Sequence, residues 1–348
     1  MTSPPASRAP QRAATLHDVA REAGVSLATA SRVLNGSTRR VADSYREKVE
    51  AAAAALGYSA NLSAQATARG TSATLALLVA NIADSYFSQI AAGVAEAADG
   101  ENLVVTIGIT DRSPEREAQL VRSLRGQRPR GIVLAASRAH QAQNPQLTQA
   151  LQALEESGGT IVTLGSAAEG VTSRVVGIDN RGGTRELGST LAALGYRSAL
   201  VIAAMDGLVT SDDRVGGFVE GFTAGGGSAP EVLRGSLTRD AGYAIMAGAL
   251  KRGVPEGTVV FGVSDVVAFG AMSAVRDAGR AVGSDIAIAG FGDIDTGRDI
   301  VPSLTTAHAP LEELGRLAVE AATAETWVNP DPLPVEVLVR DSTPPRAA

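Results

Sequence analysis

The chain has no cysteine. A disulfide framework, a cysteine nucleophile and every thiolate metal site are therefore excluded. Histidine is nearly as scarce. His17, His140 and His308 lie too far apart in sequence to form a local metal-binding motif, and no metal or other cofactor is expected. Aromatic residues make up only 3% of the chain, which argues against a broad stacking platform. No run of about 18 apolar residues occurs, so no membrane-spanning helix is expected. The opening MTSPPASRAPQRAA lacks the apolar centre of a signal peptide. Residues 1–14 are expected to be a disordered tail, and the protein to be cytoplasmic.

What is present is globular composition: 348 residues, 45% hydrophobic and 20% charged. At roughly 150 residues per domain, that length predicts two to three domains. The net charge of −6 hides an asymmetry. Residues 1–71 carry nine basic and five acidic side chains, and the remainder 22 basic and 32 acidic. A head at +4 on a body at −10 fits a small anion-binding module joined to a larger domain.

The head is punctuated as three helices. Thr15 followed three residues later by Asp18 makes a capping box, and Leu16, Val19 and Ala20 recur on one helical face until Gly24. Ser26 caps a second helix with Ala30, Val33 and Leu34 on its apolar face, ended by Asn35-Gly36. Asp43 is expected to cap a third, which turns Val49, Ala52, Ala53 and Leu56 inward until Gly57. Two short helices around a tight glycine turn, closed by a third, define a helix-turn-helix. Residues 59–71, SANLSAQATARGT, hold no large apolar residue except Leu62 and read as a linker or as a segment that folds on binding.

From residue 72 short apolar runs alternate with helical stretches. The runs are Leu75–Ala80, Leu103–Ile109, Gly131–Ala135, Thr160–Leu164, Val175–Ile178, Ala199–Ala204, Val259–Val263 and Ile286–Phe291, with Val335–Val339 as an extra strand. Helices are expected near 88–100, 114–125, 146–157, 183–194, 214–224, 239–252, 265–278 and 310–325. This alternation means a parallel sheet covered on both faces. The count fits either two doubly wound sheets or one eight-fold barrel.

The head segment TLHDVAREAGVSLATASRVLNG, Thr15 to Gly36, closely resembles the LacI/GalR family of bacterial transcription regulators. So do Arg46-Glu47-Lys48-Val49 and Leu56-Gly57-Tyr58. The body carries similar landmarks in order: Gly177-Ile178-Asp179-Asn180, Leu194-Gly195-Tyr196-Arg197, Ser264-Asp265, Gly270-Ala271, Asp285-Ile286-Ala287, Gly290-Phe291, Pro302-Ser303-Leu304-Thr305-Thr306 and Val339-Arg340-Asp341-Ser342-Thr343. The resemblance spans residues 15 to about 343. It implies an α/β protein with a small all-α head. An N-terminal helix-turn-helix (15–58) and a hinge (59–71) would precede a periplasmic-binding-protein-like, Rossmann-like domain (72–348). That domain would hold two parallel-sheet subdomains, one of residues 72–178 and 306–326, the other of 179–305 and 327–348.

The resemblance also assigns roles. Leu27, Ala28 and Arg32 would read base edges in the major groove, and Arg32 could bond a guanine bidentately. Leu27 and Ala28 could only touch a thymine methyl or exclude bases by shape; core packing is the alternative for Leu27. Thr15, His17, Ser26, Thr29, Ser31, Asn35 and Tyr58 would contact phosphates, which set register. Asn61, Ala64, Gln65 and Thr67 would lie in a minor-groove hinge helix. Thr67 stands where the family usually places an apolar wedge, commonly Leu, which predicts a weaker wedge. Ala42 stands where the family often has Ser before the third helix.

Ligands of open parallel sheets bind beyond the carboxyl ends of the strands. Asp84, Ser85, Tyr86, Phe87, Arg138, Arg214, Asp265 and Asp293 are the expected effector contacts. Carboxylates accept hydroxyl protons, arginine donates, and an aromatic face covers C–H surface, so the set suits a sugar or sugar derivative. For Asp265 the alternative is a helix N-cap. Gly165 follows Leu164 where many sugar-sensing relatives carry an acid or other polar group, which keeps a phosphorylated sugar or a nucleobase open.

The expected function is a ligand-responsive, sequence-specific repressor that binds a palindromic duplex operator as a homodimer. The chain ends STPPRAA without the family's long tetramerising helix, which favours the dimer. The competing classes are a cytoplasmic small-molecule-binding protein and a sugar-modifying enzyme on the same fold. No G-x-x-x-x-G-K-[ST], G-x-S-x-G or H-E-x-x-H motif occurs, and no G-x-G-x-x-G follows a strand, so an enzyme is not expected.

Overall fold

The computed structural model describes residues 14–34, 41–58, 72–135 and 144–346. Asn35, the hinge positions Asn61, Ala64, Gln65 and Thr67, and Arg138 lie outside them. The chain divides into two units, residues 1–72 and 73–348.

Among its described residues the first unit has three helices: α1 (Leu16–Glu22), α2 (Leu27–Leu34) and α3 (Asp43–Ala55). Thr15 and Asp18 form the expected capping box, each side chain receiving the other's backbone N–H. Gly24 turns the chain between the first two helices at φ +64°, a left-handed conformation that a Cβ would strain. Ser26 caps α2, accepting the Thr29 amide at 3.1 Å. The third helix departs from expectation. Asp43 is its first residue, and Ala42 holds the cap position with no side chain able to accept an amide. Val19, Ala20, Ala30, Val49, Ala52 and Ala53 form the small core.

The second unit is two parallel α/β lobes; the barrel alternative is not what forms. The first lobe holds β1 (Thr74–Val79), β2 (Val104–Ile109), β3 (Gly131–Leu134), β4 (Thr160–Leu164) and β5 (Arg174–Val176), in the order β2-β1-β3-β4-β5. The second holds β6 (Ala199–Ala204), β7 (Glu231–Gly235), β8 (Thr258–Gly262), β9 (Ile286–Gly292), β10 (Thr305–His308) and β11 (Glu336–Leu338), in the order β11-β10-β9-β8-β6-β7. Every pairing is parallel except β10 with β11. The central strands are buried on both faces, as their unbroken apolar runs require.

Two strands escaped the sequence pattern. β7 is an edge strand, half-exposed and carrying Glu231, Arg234 and Gly235. β10 is buried but reads Thr-Thr-Ala-His. Its threonines bond Ser342, Thr343 and Asp265 rather than packing as apolar groups. Because residues 306–308 pair with β9, they belong to the second lobe and not, as expected, to the first. The return to the first lobe is the helix Leu311–Thr323, which packs on Ser85–Gly100. These two helices approach so closely that a Cβ on Gly93 would sit 1.9 Å from the Glu312 carbonyl oxygen. Among the described residues no helix is long and apolar enough to cross a membrane.

Candidate functional site

In the head, the start of α2 gathers the side chains expected to meet DNA. Leu27 is 39% exposed and stands outside the apolar core, so the core-packing reading of Leu27 fails. Ala28 and Arg32 are exposed beside it. Ser26, Thr29 and Arg32 line a shallow concavity with Gly24, Val25, Val41, Ala42 and Tyr45. Tyr45, 49% exposed, was not singled out by the sequence; an exposed tyrosine on an otherwise ordinary helix gives no pattern signal. The Ser26 and Thr29 hydroxyls bond each other at 2.8 Å, so the N-terminal turn of α2 is locally ordered. His17 is exposed on α1, Thr15 and Ser31 are partly so, and Tyr58 packs its ring against the core.

In the body, a cavity opens between the two lobes. Its wall is built almost entirely from residues that follow strand ends: Asp84 after β1, Arg112 after β2, Ala135 after β3, Gly165 after β4 and Gly177 after β5. From the second lobe come Thr210 and Arg214 after β6, Leu237 after β7 and Ser264 after β8. This is the crevice that parallel sheets leave at the carboxyl edge.

Arg214 is the centre of the wall. It lies on the helix Val209–Ala224, which starts five residues earlier than the periodicity predicted and so carries Arg214 in its second turn. The residue is only 6% exposed. Its guanidinium donates to the Asn180 amide oxygen at 2.7 Å, the Val263 carbonyl at 2.8 Å and the Tyr86 hydroxyl at 3.3 Å. The Phe291 ring lies beneath it, centroid 3.7 Å away. All these partners are neutral, and among the described residues no carboxylate comes within ion-pair distance. Burial pulls the Arg214 pKa down, partly opposed by Tyr86, Asp265 and Asp84.

Asp84 caps the helix Ser85–Gly100, accepting the Tyr86 amide at 3.0 Å. Burial raises its pKa, against the pull of that amide and of Arg112 and Arg214. Tyr86 and Phe87 stand edge to face, centroids 5.3 Å apart, and both line the cavity. Of the expected effector contacts, Asp84, Tyr86, Phe87 and Arg214 therefore meet in one cavity.

Three others do not reach its wall. Ser85 lies in the first turn of its helix without lining the cavity. Asp265 is 1% exposed and faces inward. It accepts the Thr306 hydroxyl at 2.6 Å and the Ile294 amide at 2.9 Å. Nor is it the N-cap of its helix, a role taken by Ser264. Burial pushes the Asp265 carboxyl up to about 6, although these hydrogen bonds pull the other way. Asp293, 3% exposed, is consumed by a charge cluster. Arg340 bonds one oxygen at 2.5 Å, while Arg298 and His308 meet the other at 3.0 and 3.1 Å. Burial alone would raise the Asp293 carboxyl, but Arg340 and Arg298 outweigh it and hold it below the ordinary range. A carboxylate after a strand end looks alike in sequence whether it faces a ligand or the core.

Arg112 and Asn180 are wall residues the sequence reading missed. Arg112 follows the edge strand β2, in a loop where Asp111 and Arg112 both take positive φ, 51° and 58°. Consecutive left-handed residues that are not glycine leave no mark in an apolar pattern.

The architecture is that of a helix-turn-helix head on a two-lobed, periplasmic-binding-type ligand domain. The sequence matches the description "Bacterial regulatory proteins, lacI family" over residues 15–61. It also matches "Periplasmic binding proteins and sugar binding domain of LacI family" over residues 72–326. Similar proteins include the HTH-type transcriptional regulator CelR of Thermobifida fusca, 32% identical over 95% of this chain and 99% of that protein. The regulator GalR of Escherichia coli is 28% identical over 89% of each. Among solved structures, the Lac repressor dimer bound to operator and the anti-inducer ONPF superposes with a TM-score of 0.81, at 27% identity, covering 96% of this chain and all of that one. A CelR–cellobiose complex gives 0.65 at 30% identity over 94% and 99%. The chain belongs to the LacI family of bacterial regulatory proteins and is a DNA-binding transcriptional regulator, not an enzyme.

Proposed function

We propose that this protein is a homodimeric, cytoplasmic repressor that holds a palindromic operator until a sugar or sugar derivative enters the cleft between its lobes. The cavity carries this reading. A deeply buried arginine with donors in a fixed fork, a carboxylate and an aromatic edge suit a polyhydroxylated ligand. The similarity to the operator-bound Lac repressor dimer and to the cellobiose-bound CelR supports the same assignment.

In this reading Arg32 reads a guanine, Leu27 and Ala28 shape the groove contact, and Thr15, His17, Ser26, Thr29, Ser31, Asn35 and Tyr58 set register on phosphates. Asn61, Ala64, Gln65 and Thr67 form the hinge. A ligand bridging both lobes favours one interlobe arrangement and thereby changes DNA affinity. By linkage, operator changes ligand affinity by the same factor.

The test is selection of duplexes from a randomised pool at fixed salt, since phosphate contacts dominate affinity. An enriched palindrome released by added sugar is the expected result. Enrichment of a non-palindromic site, or none with or without metabolite extract, would overturn the reading.

A further inference from the structure

We propose, building on the effector reading above, that the ligand of this cleft carries an anionic group, a phosphate or a carboxylate on the sugar, which Arg112 and Arg214 clamp between them. Among the described residues, the charged side chains on the cavity wall are Asp84, Arg112 and Arg214, one acid against two bases. The excess of positive charge sits on a body whose charged residues are more often acidic than basic, so it is a local feature of the cleft.

Free donors are in place. A guanidinium carries five N–H groups. Arg214 uses three on Asn180, Val263 and Tyr86, which fixes the fork and leaves two. Arg112 makes no hydrogen bond and no ion pair with the described residues, and the centroid of the Phe87 ring lies 5.7 Å from its guanidinium carbon. The surrounding walls lower the Arg112 pKa by desolvation, Asp84 acts against this, and Arg214 adds like-charge repulsion.

Of the nearby acids, Asp265 and Asp293 are committed elsewhere, and Asp84, which acts on both arginines, is one carboxylate against two cations. Asp84 spends an oxygen on its helix cap. Asp265 is held by Thr306 and Ile294, and Asp293 by Arg340, Arg298 and His308. Among the described residues, the ends of β3, β4 and β5 add Ala135, Gly165 and Gly177, none of which brings a charge. Two cations sharing a concave, partly desolvated space repel one another, and an anion between them removes that repulsion while taking their free N–H groups.

The test uses the full-length protein. Inorganic phosphate is the probe that does not depend on sugar identity, and glucose, galactose and mannose are each compared with their 6-phosphates and uronates. Phosphate should raise the melting temperature of the wild type. Arg112→Gln should lose that protection by roughly tenfold or more in apparent affinity, and Arg112→Lys should retain most of it. Equal protection of wild type and Arg112→Gln, or protection of neither, overturns the proposal. Among the sugars, preference for a 6-phosphate identifies a phosphate ligand and preference for a uronate a carboxylate. A neutral hexose that releases operator as well as its charged forms overturns the anionic clamp while leaving the sugar-responsive repressor standing.

Discussion

Arg214 rests its guanidinium 3.7 Å from the centroid of the Phe291 ring, at the meeting of the two lobes. The ring and three neutral acceptors fix the fork while leaving its charge unneutralised. Arg214→Lys keeps the charge but cannot reproduce that planar fork. It should abolish effector-dependent operator release while leaving operator binding in place. Fluorescence anisotropy of a labelled operator, titrated with effector, measures both; a variant that still responds removes Arg214 from the site.

Arg32 projects from α2 with its side chain exposed, beside Leu27 and Ala28. Arg32→Ala should relax preference at one base pair per half-site, at a cost of about 1–3 kcal/mol of discrimination. Repeating the duplex selection with the variant checks this. A uniform loss across sequences would make Arg32 a phosphate contact.

Asp265 is buried with its carboxyl pushed up to about 6. Its folded pKa lies above the unfolded value, so between about 4 and 6 the folded state holds the extra proton. The contribution of this group to stability therefore falls as pH rises through that window and is level above it. Asp265→Asn lacks the titration. The stability difference between wild type and variant, from urea unfolding at a series of pH values, should shift against the wild type from pH 4 to 6. A constant difference would show that the carboxyl does not titrate there.

Gly93 lies under the Glu312 backbone, and Gly315 faces Ile90 and Val94 in the same helix pair. Gly93→Ala should force the helices apart and cost about 1–3 kcal/mol, despite alanine's higher helix propensity. Thermal unfolding decides. A variant as stable as the wild type would mean that the helix pair yields without cost.

The sequence by itself determined the local order of this protein. The capping box at Thr15 and Asp18, the turn at Gly24 and the apolar faces of the head are set by neighbours within a few residues, so they were legible. The central strands were legible for the same reason: burial on both faces demands a continuous apolar run. β7 and β10 were not, because one is an exposed edge and the other buries threonines whose partners lie more than thirty residues away. The site divides along the same line. Residues after strand ends could be named in advance, but only tertiary packing decided that Asp84 and Arg214 face the cavity while Asp265 turns inward to Thr306 and Asp293 is taken by Arg298, His308 and Arg340. A charge chooses its partner by distance in space, and that distance is fixed only when the sheets have closed and the chain has crossed back between the lobes.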